Sequence, residues 1–217
     1  NFYDGSSFKH VDPQMSNSYS LPQYGGKYQM YFDRFSHLWI KNNRLMTCVD
    51  LKTERFIGNV DKELKSMGVK RRVDDLYGDG WANIWFRSGN ELYSQSLKKH
   101  FTLVQYRDIL DVDIYKDSLL LAFHADGSVT VFDYQHGNRM YQVHAFGKSE
   151  RHKFSKSSEL CMVDNVYYQL HHGTKESVLM SYNPESAQWQ KLYEAPFLMN
   201  SLYPRDNLIY IGAEEDL

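Results

Sequence analysis

Six basic side chains, Lys41, Arg72, Arg87, Arg107, His124 and His171, flank short apolar runs at comparable places along the chain. Arginine grips planar anions through paired hydrogen bonds, and lysine and histidine add further donors, so a ring of such groups suits a sugar acid, a sulfated sugar or a carboxylate. The alternative is that each is a solvated loop residue. Asp111, Asp113 and Asp117 have the alternation of a calcium loop. Yet no glycine lies among Ile114 to Lys116, and Ala122 stands where a bidentate glutamate would close the site, so a solvated strand end is expected instead. His171 and His172 are adjacent and would point to opposite faces of a strand, which disfavours joint metal chelation. They read as a polar loop histidine beside a half-exposed one.

The strong enzyme signatures are missing from the sequence: no phosphate-binding glycine loop, no two-histidine zinc helix, no serine elbow. Two cysteines, Cys48 and Cys161, cannot supply a structural zinc site and read as separate core thiols. No cofactor and no metal are expected. With 25 basic against 27 acidic residues the net charge is -2, which provides no bulk field for nucleic acid or an anionic membrane. The longest apolar run, Leu119 to Phe123, is far below the roughly 18 to 20 residues that span a bilayer. No basic start followed by an apolar stretch opens the chain at Asn1, and the compartment does not follow from that.

The elements that must carry the basic residues are strands. Helical periodicity is confined to Asp61 to Met67, where Leu64 and Met67 share a face and Gly68 gives a stop. Elsewhere, short runs of β-branched and aromatic residues alternate with turn residues. A polar turn followed by an apolar strand recurs five times, in His37-Leu-Trp-Ile, Asn83-Ile-Trp-Phe, Ser118-Leu-Leu-Leu, Asn165-Val-Tyr-Tyr and Asn207-Leu-Ile-Tyr. The third positions, 39, 85, 120, 167 and 209, are 46, 35, 47 and 42 residues apart, where roughly 40 to 45 is typical of a four-stranded propeller blade.

An all-β propeller is therefore expected, with four full four-stranded blades at about 24–60, 73–104, 107–146 and 157–194. Half blades at 1–11 and 197–217 would either pair to close a ring or belong to a larger propeller. In such a blade, loops entering the first strand and leaving the second emerge on one face near the axis. Lys41, Arg72, Arg87, Arg107, His124 and His171 fall on those loops, and loops carry binding in most scaffolds. Trp39 and Trp85 share a repeat position and are expected to pack between blades, whereas Trp81 lies in a turn outside that register. The stretch Gly147 to Ser158, rich in Lys, Arg and Ser, reads as a flexible crossover loop.

The run Asp33-Arg-Phe-Ser-His-Leu-Trp-Ile40, followed by Arg44-Leu45 and Asp50-Leu-Lys-Thr-Glu-Arg-Phe56, resembles the periplasmic propeller repeat of hybrid two-component sensors of Bacteroides-type bacteria. Asp79-Gly-Trp-Ala-Asn-Ile-Trp-Phe86 and Asp206 to Leu217 look like further copies. The resemblance implies a non-enzymatic ligand-sensing region outside the inner membrane, on the same polypeptide as a cytoplasmic histidine kinase, with a glycan fragment as the usual cue. Two other functions fit a propeller: a structural or dimerisation scaffold, and a lyase or glycosidase. A glycosidase would need two carboxylates roughly 5 to 9.5 Å apart near the axis.

Overall fold

The computed structural model describes residues 2–3, 8–9, 29–42, 46–57, 59–96, 100–103, 109–154 and 156–213. The chain divides into two compact units, Asn1–Val104 and Gln105–Leu217. Both are built from antiparallel sheets whose strands lie side by side in sequence order, the blade arrangement of an all-β propeller.

In the first unit, β1 (Phe2–Tyr3) and β2 (Phe8–Lys9) form a two-stranded sheet. A four-stranded sheet follows from β3 (Gln29–Phe32), β4 (His37–Lys41), β5 (Met46–Asp50) and β6 (Arg55–Phe56). Helix α1 (Val60–Ser66) then leads into a second sheet of β7 (Asp75–Gly78), β8 (Ile84–Ser88), β9 (Glu91–Ser94) and β10 (His100–Thr102). Asn59 caps the helix by accepting from the Lys62 amide at 2.9 Å, and Gly68 ends the following turn at a φ of 90° that side chains rarely adopt.

Aspartates clamp the first-to-second-strand turn of each of these sheets. Asp33 Oδ1 accepts from the amides of Phe35 and His37, at 2.8 and 2.9 Å, while Oδ2 accepts the Trp39 indole N–H at 2.8 Å. Asp79 repeats the pattern: Oδ1 accepts from the amides of Trp81 and Asn83, both at 2.9 Å, and Oδ2 from the Trp85 indole at 2.8 Å. Ser36 and Ala82, at φ of 68° and 56°, turn the chain back. The carboxylate thus satisfies turn amides and a fully buried indole together, which lets tryptophan enter the core without an orphaned donor. Trp39 also meets Phe86 edge-on at 5.1 Å, so the expected packing between blades holds here. Gln29 Oε1 accepts from the Leu76 amide at 3.1 Å, and Arg34 N donates to the Ala82 carbonyl at 3.0 Å, tying both ends of the two inner hairpins together.

In the second unit, β11 (Ile109–Tyr115), β12 (Leu119–His124), β13 (Ser128–Asp133) and β14 (Arg139–His144) form one sheet. A second contains β15 (Lys156–Val163), β16 (Val166–His172), β17 (Ser177–Asn183) and β18 (Gln188–Ala195). A two-stranded sheet of β19 (Met199–Arg205) and β20 (Leu208–Ala213) completes the unit. Its first-to-second-strand turns are of another kind. Lys116-Asp117, Asp164-Asn165 and Asp206-Asn207 all have φ between 47° and 63°, the two-residue turn whose twist matches that of the strands it joins. Phe123, Tyr167 and Tyr182 fill the core between the two four-stranded sheets. Leu170, Met199 and Leu202 fill the next one.

Three expectations are corrected. Strand β15 begins at Lys156, so the last part of the crossover stretch is sheet. The remainder is anchored, because Phe154 is buried and stacks on Phe146 at 4.9 Å against Val178 and Met180. Asp113 is no solvated strand end: it is buried in β11 and accepts the Tyr167 hydroxyl at 2.6 Å.

Candidate functional site

The structure places five of the six predicted basic residues; Arg107 lies outside the described residues. Lys41, Arg87, His124 and His171 all sit at the end of a second strand, as expected from the repeat. They belong to the strands themselves, however, and not to the loops beyond. The apolar runs stop earlier than the hydrogen-bonded ladders do, because polar cross-strand partners carry the pairing onward. Ser157 faces His171 across the ladder and Asp75 faces Arg87.

Three of these cations gather in the first unit. Arg87 is half-buried; its Nε donates to Asp75 Oδ2 at 2.9 Å, one Nη meets the same oxygen, and the other reaches Gly89 O at 3.0 Å and Asp74 at 3.4 Å. Burial works against its charge, and the Asp75 carboxylate more than offsets this, raising the guanidinium above its ordinary range. Lys41, at the equivalent place one sheet earlier, is buried and donates to Asn42 O at 2.7 Å. Burial holds its ammonium below the usual lysine range, with Asp75 opposing the shift and Arg72 adding to it. Arg72 lies on the exposed segment before β7, between the buried anchors Val69 and Val73. Of the three it alone is exposed and, among the described residues, has no carboxylate partner.

The two histidines of the second unit are core residues, and their expected loop setting is corrected. His124 shares a hydrogen bond with Thr130 Oγ1 at 2.9 Å, and His171 Nδ1 shares one with Ser157 Oγ at 2.6 Å. The His171 ring is 0% exposed and lies edge-on to Phe146 at 5.0 Å and Trp189 at 5.7 Å. Burial pushes its pKa down to about 3, so it is neutral at physiological pH. Among the described residues no group of three or more histidine, cysteine or acidic side chains could hold a metal ion, and no helix is long and apolar enough to cross a membrane.

At the other end of the inner hairpins of the first unit, the clamped turns expose residues that the basic-residue pattern did not single out. Phe35 is 48% exposed and Trp81 is 58% exposed, each two positions after its clamping aspartate. The Arg34 guanidinium sits 5.3 Å from the centre of the Phe35 ring. The repeated spacing of Asp33 to Trp39 and Asp79 to Trp85 was the available sequence signal for this pair of turns.

Neither protein-family models nor curated proteins match the chain. Solved structures do. The extracellular domain assigned to the hybrid two component system BT3049 of B. thetaiotaomicron superposes with a TM-score of 0.56 at 14% identity, over 94% of this chain and 28% of that one. The Dos1 propeller gives 0.56 at 14% identity, over 86% and 53%. The Cps50 (Swd1) β-propeller domain of Myceliophteria thermophila gives 0.56 at 12% identity, over 88% and 63%. At such identities the likeness shows the propeller fold alone, and the chain spans less than two thirds of each of these structures.

Proposed function

We propose that this chain is a non-enzymatic, ligand-sensing propeller segment of a two-component signalling protein, lying in the periplasm and recognising an anionic glycan fragment. The observation that carries the reading is the aspartate-to-tryptophan clamp. Asp33 to Trp39 and Asp79 to Trp85 are the stretches that resemble the sensor repeat, and each forms the same clamped turn. The superposition on an extracellular domain of a hybrid two component system adds support at the level of fold. The parent polypeptide would carry the kinase and further blades, and a homodimer is a natural arrangement for transmitting the signal.

Arg72 is the side chain best disposed to meet an anionic ligand, since Arg87 is committed to Asp75 and Lys41 to a backbone carbonyl. Arg107 remains a candidate. Calorimetric titration with acidic oligosaccharides tests the reading. Arg72→Ala is expected to weaken binding at least about tenfold, or about 1.4 kcal/mol, without lowering the melting temperature. Absence of binding to any acidic oligosaccharide by the intact protein would remove the sensor reading.

A scaffold function is the second reading, favoured by one surface: β19 and β20 leave Tyr203, Leu208 and Tyr210 more than half exposed on a two-stranded sheet. Concentration-dependent sedimentation that Tyr210→Ser abolishes, with no ligand found, would favour it.

A further inference from the structure

The tips of the two clamped turns carry a feature that core packing does not explain. Phe35 and Trp81 occupy equivalent places, and both rings face solvent. Their backbones are fixed twice: each amide donates to a clamping aspartate, and the Arg34 amide bonds the Ala82 carbonyl across the two turns at 3.0 Å. That bridge, with consecutive Cα atoms 3.8 Å apart, brings the two aromatic residues within about 12 Å of one another. Arg34, exposed beside Phe35, adds a cation with five donors to the same tips. Trp81 presents an indole that no neighbouring ring covers among the described residues.

We infer that Phe35, Trp81 and Arg34 form a saccharide-binding platform, with the apolar face of a sugar ring on the Trp81 indole and an anionic substituent of the same oligosaccharide on Arg34. Size decides against a protein partner. At 48% and 58% exposure, two aromatic rings of 150 to 250 Å² each offer roughly 200 Å², whereas a stable protein interface covers about 800 Å² per partner. An aromatic patch of that size, with the Arg34 donors beside it, matches a short oligosaccharide. The clamps hold the backbone beneath the rings in place before binding, so only side-chain rotation remains to be ordered there. The inference rests on the glycan-sensing reading for its ligand class, but places the contact a strand's length from Arg72, at the opposite end of the inner hairpins.

The test uses the full chain with trigalacturonic acid, a chondroitin sulfate disaccharide and neutral cellotriose as probes. Affinities are read by calorimetry, and shielding of tryptophan from iodide by fluorescence. Trp39 and Trp85 are buried and Trp189 is half-buried, so Trp81 is the most exposed of the four indoles, and the protection that Trp81→Ala removes is its own. Trp81→Ala is expected to weaken the best probe at least about tenfold and to abolish protection, and Arg34→Ala to reduce the preference for acidic probes over cellotriose. Binding that Arg72→Ala removes and Trp81→Ala leaves intact would overturn the platform while sparing the sensor reading. No binding by any probe would overturn both. Self-association that Trp81→Ala abolishes, with sugar affinity unchanged, would make the tips a protein contact and also overturn the inference.

Discussion

Replacing Asp79 by asparagine exchanges one oxygen for an amide nitrogen at the centre of the second clamp. One oxygen of the side chain can still accept from the amides of Trp81 and Asn83. The new amide group, however, takes the place of the oxygen that lies 2.8 Å from the Trp85 indole nitrogen and 2.9 Å from Asn83 Nδ2. Donor then faces donor, beside an indole that is 0% exposed. A buried donor left without a partner costs about 1–3 kcal/mol, and a hydrogen bond to a charged group contributes about 1.5–3 kcal/mol, so a loss near 3 kcal/mol is expected. At about 2–4 °C per kcal/mol for a chain of this size, the melting temperature should fall by roughly 6–12 °C. Trp85→Phe keeps most of the ring and removes the donor, so the double variant should lose about 1–2 kcal/mol less than the sum of the single ones. Urea titration gives these values, and amide exchange at Trp81 and Asn83 reports on the clamp locally. A loss below about 0.5 kcal/mol for Asp79→Asn, or strict additivity with Trp85→Phe, would refute the clamp as a source of stability.

His171 makes stability depend on acid. Its pKa in the folded chain, about 3, lies below its ordinary 6.5, so the unfolded chain binds a proton that the folded one refuses, and stability falls as pH drops from 6.5 toward 3, by a total on the order of 3–5 kcal/mol. His171→Gln should flatten that limb of the pH profile, and an unchanged limb would exclude His171 as its origin. Gly78→Ala would place a Cβ 2.6 Å from the Tyr31 ring, at an overpacking cost of about 1–3 kcal/mol; Tyr31→Leu in the same chain should recover part of it, and a neutral Gly78→Ala would contradict the packing described. Neither cysteine is in a disulfide, and Cys48 is fully buried with its pKa pushed up to about 12. A thiol reagent should therefore modify half-buried Cys161 in the native protein and reach Cys48 only on unfolding, with equal rates counting against this.

The repeat was legible because its punctuation is local. Lys116-Asp117, Asp164-Asn165 and Asp206-Asn207 demand backbone angles that few residues tolerate, so turns and spacing appear together in the sequence. Strand ends were less legible. His124 and His171 look like loop residues by polarity, but Thr130 and Ser157 each bond one ring nitrogen from a neighbouring strand, and such partners, 6 and 14 residues away, leave no periodic trace. For the same reason Asp113 seemed solvated: its partner Tyr167 is 54 residues distant. Trp81 was singled out by its place in a turn, whereas Phe35 gained meaning only when the two tips proved to be bonded to one another.

The two kinds of inner turn have a kinetic consequence. A two-residue turn with both central residues at positive φ lets a hairpin zip by itself, within about 1–10 μs. The clamped turns of the first unit instead need their tryptophan seated before the carboxylate gains its indole partner, and that seat is completed by residues far along the chain. Asp33, for example, also accepts from Gln95 at 2.6 Å, 62 residues away. Contacts of such long sequence separation come at a higher loop-closure cost and form later. Pulsed hydrogen exchange should find amides of β12 and β16 protected before those of β4 and β8, and the reverse order would reject this sequence of events. The second unit would then fold first although synthesis delivers it after the first, leaving the first unit's half-formed hairpins exposed to other chains for longer.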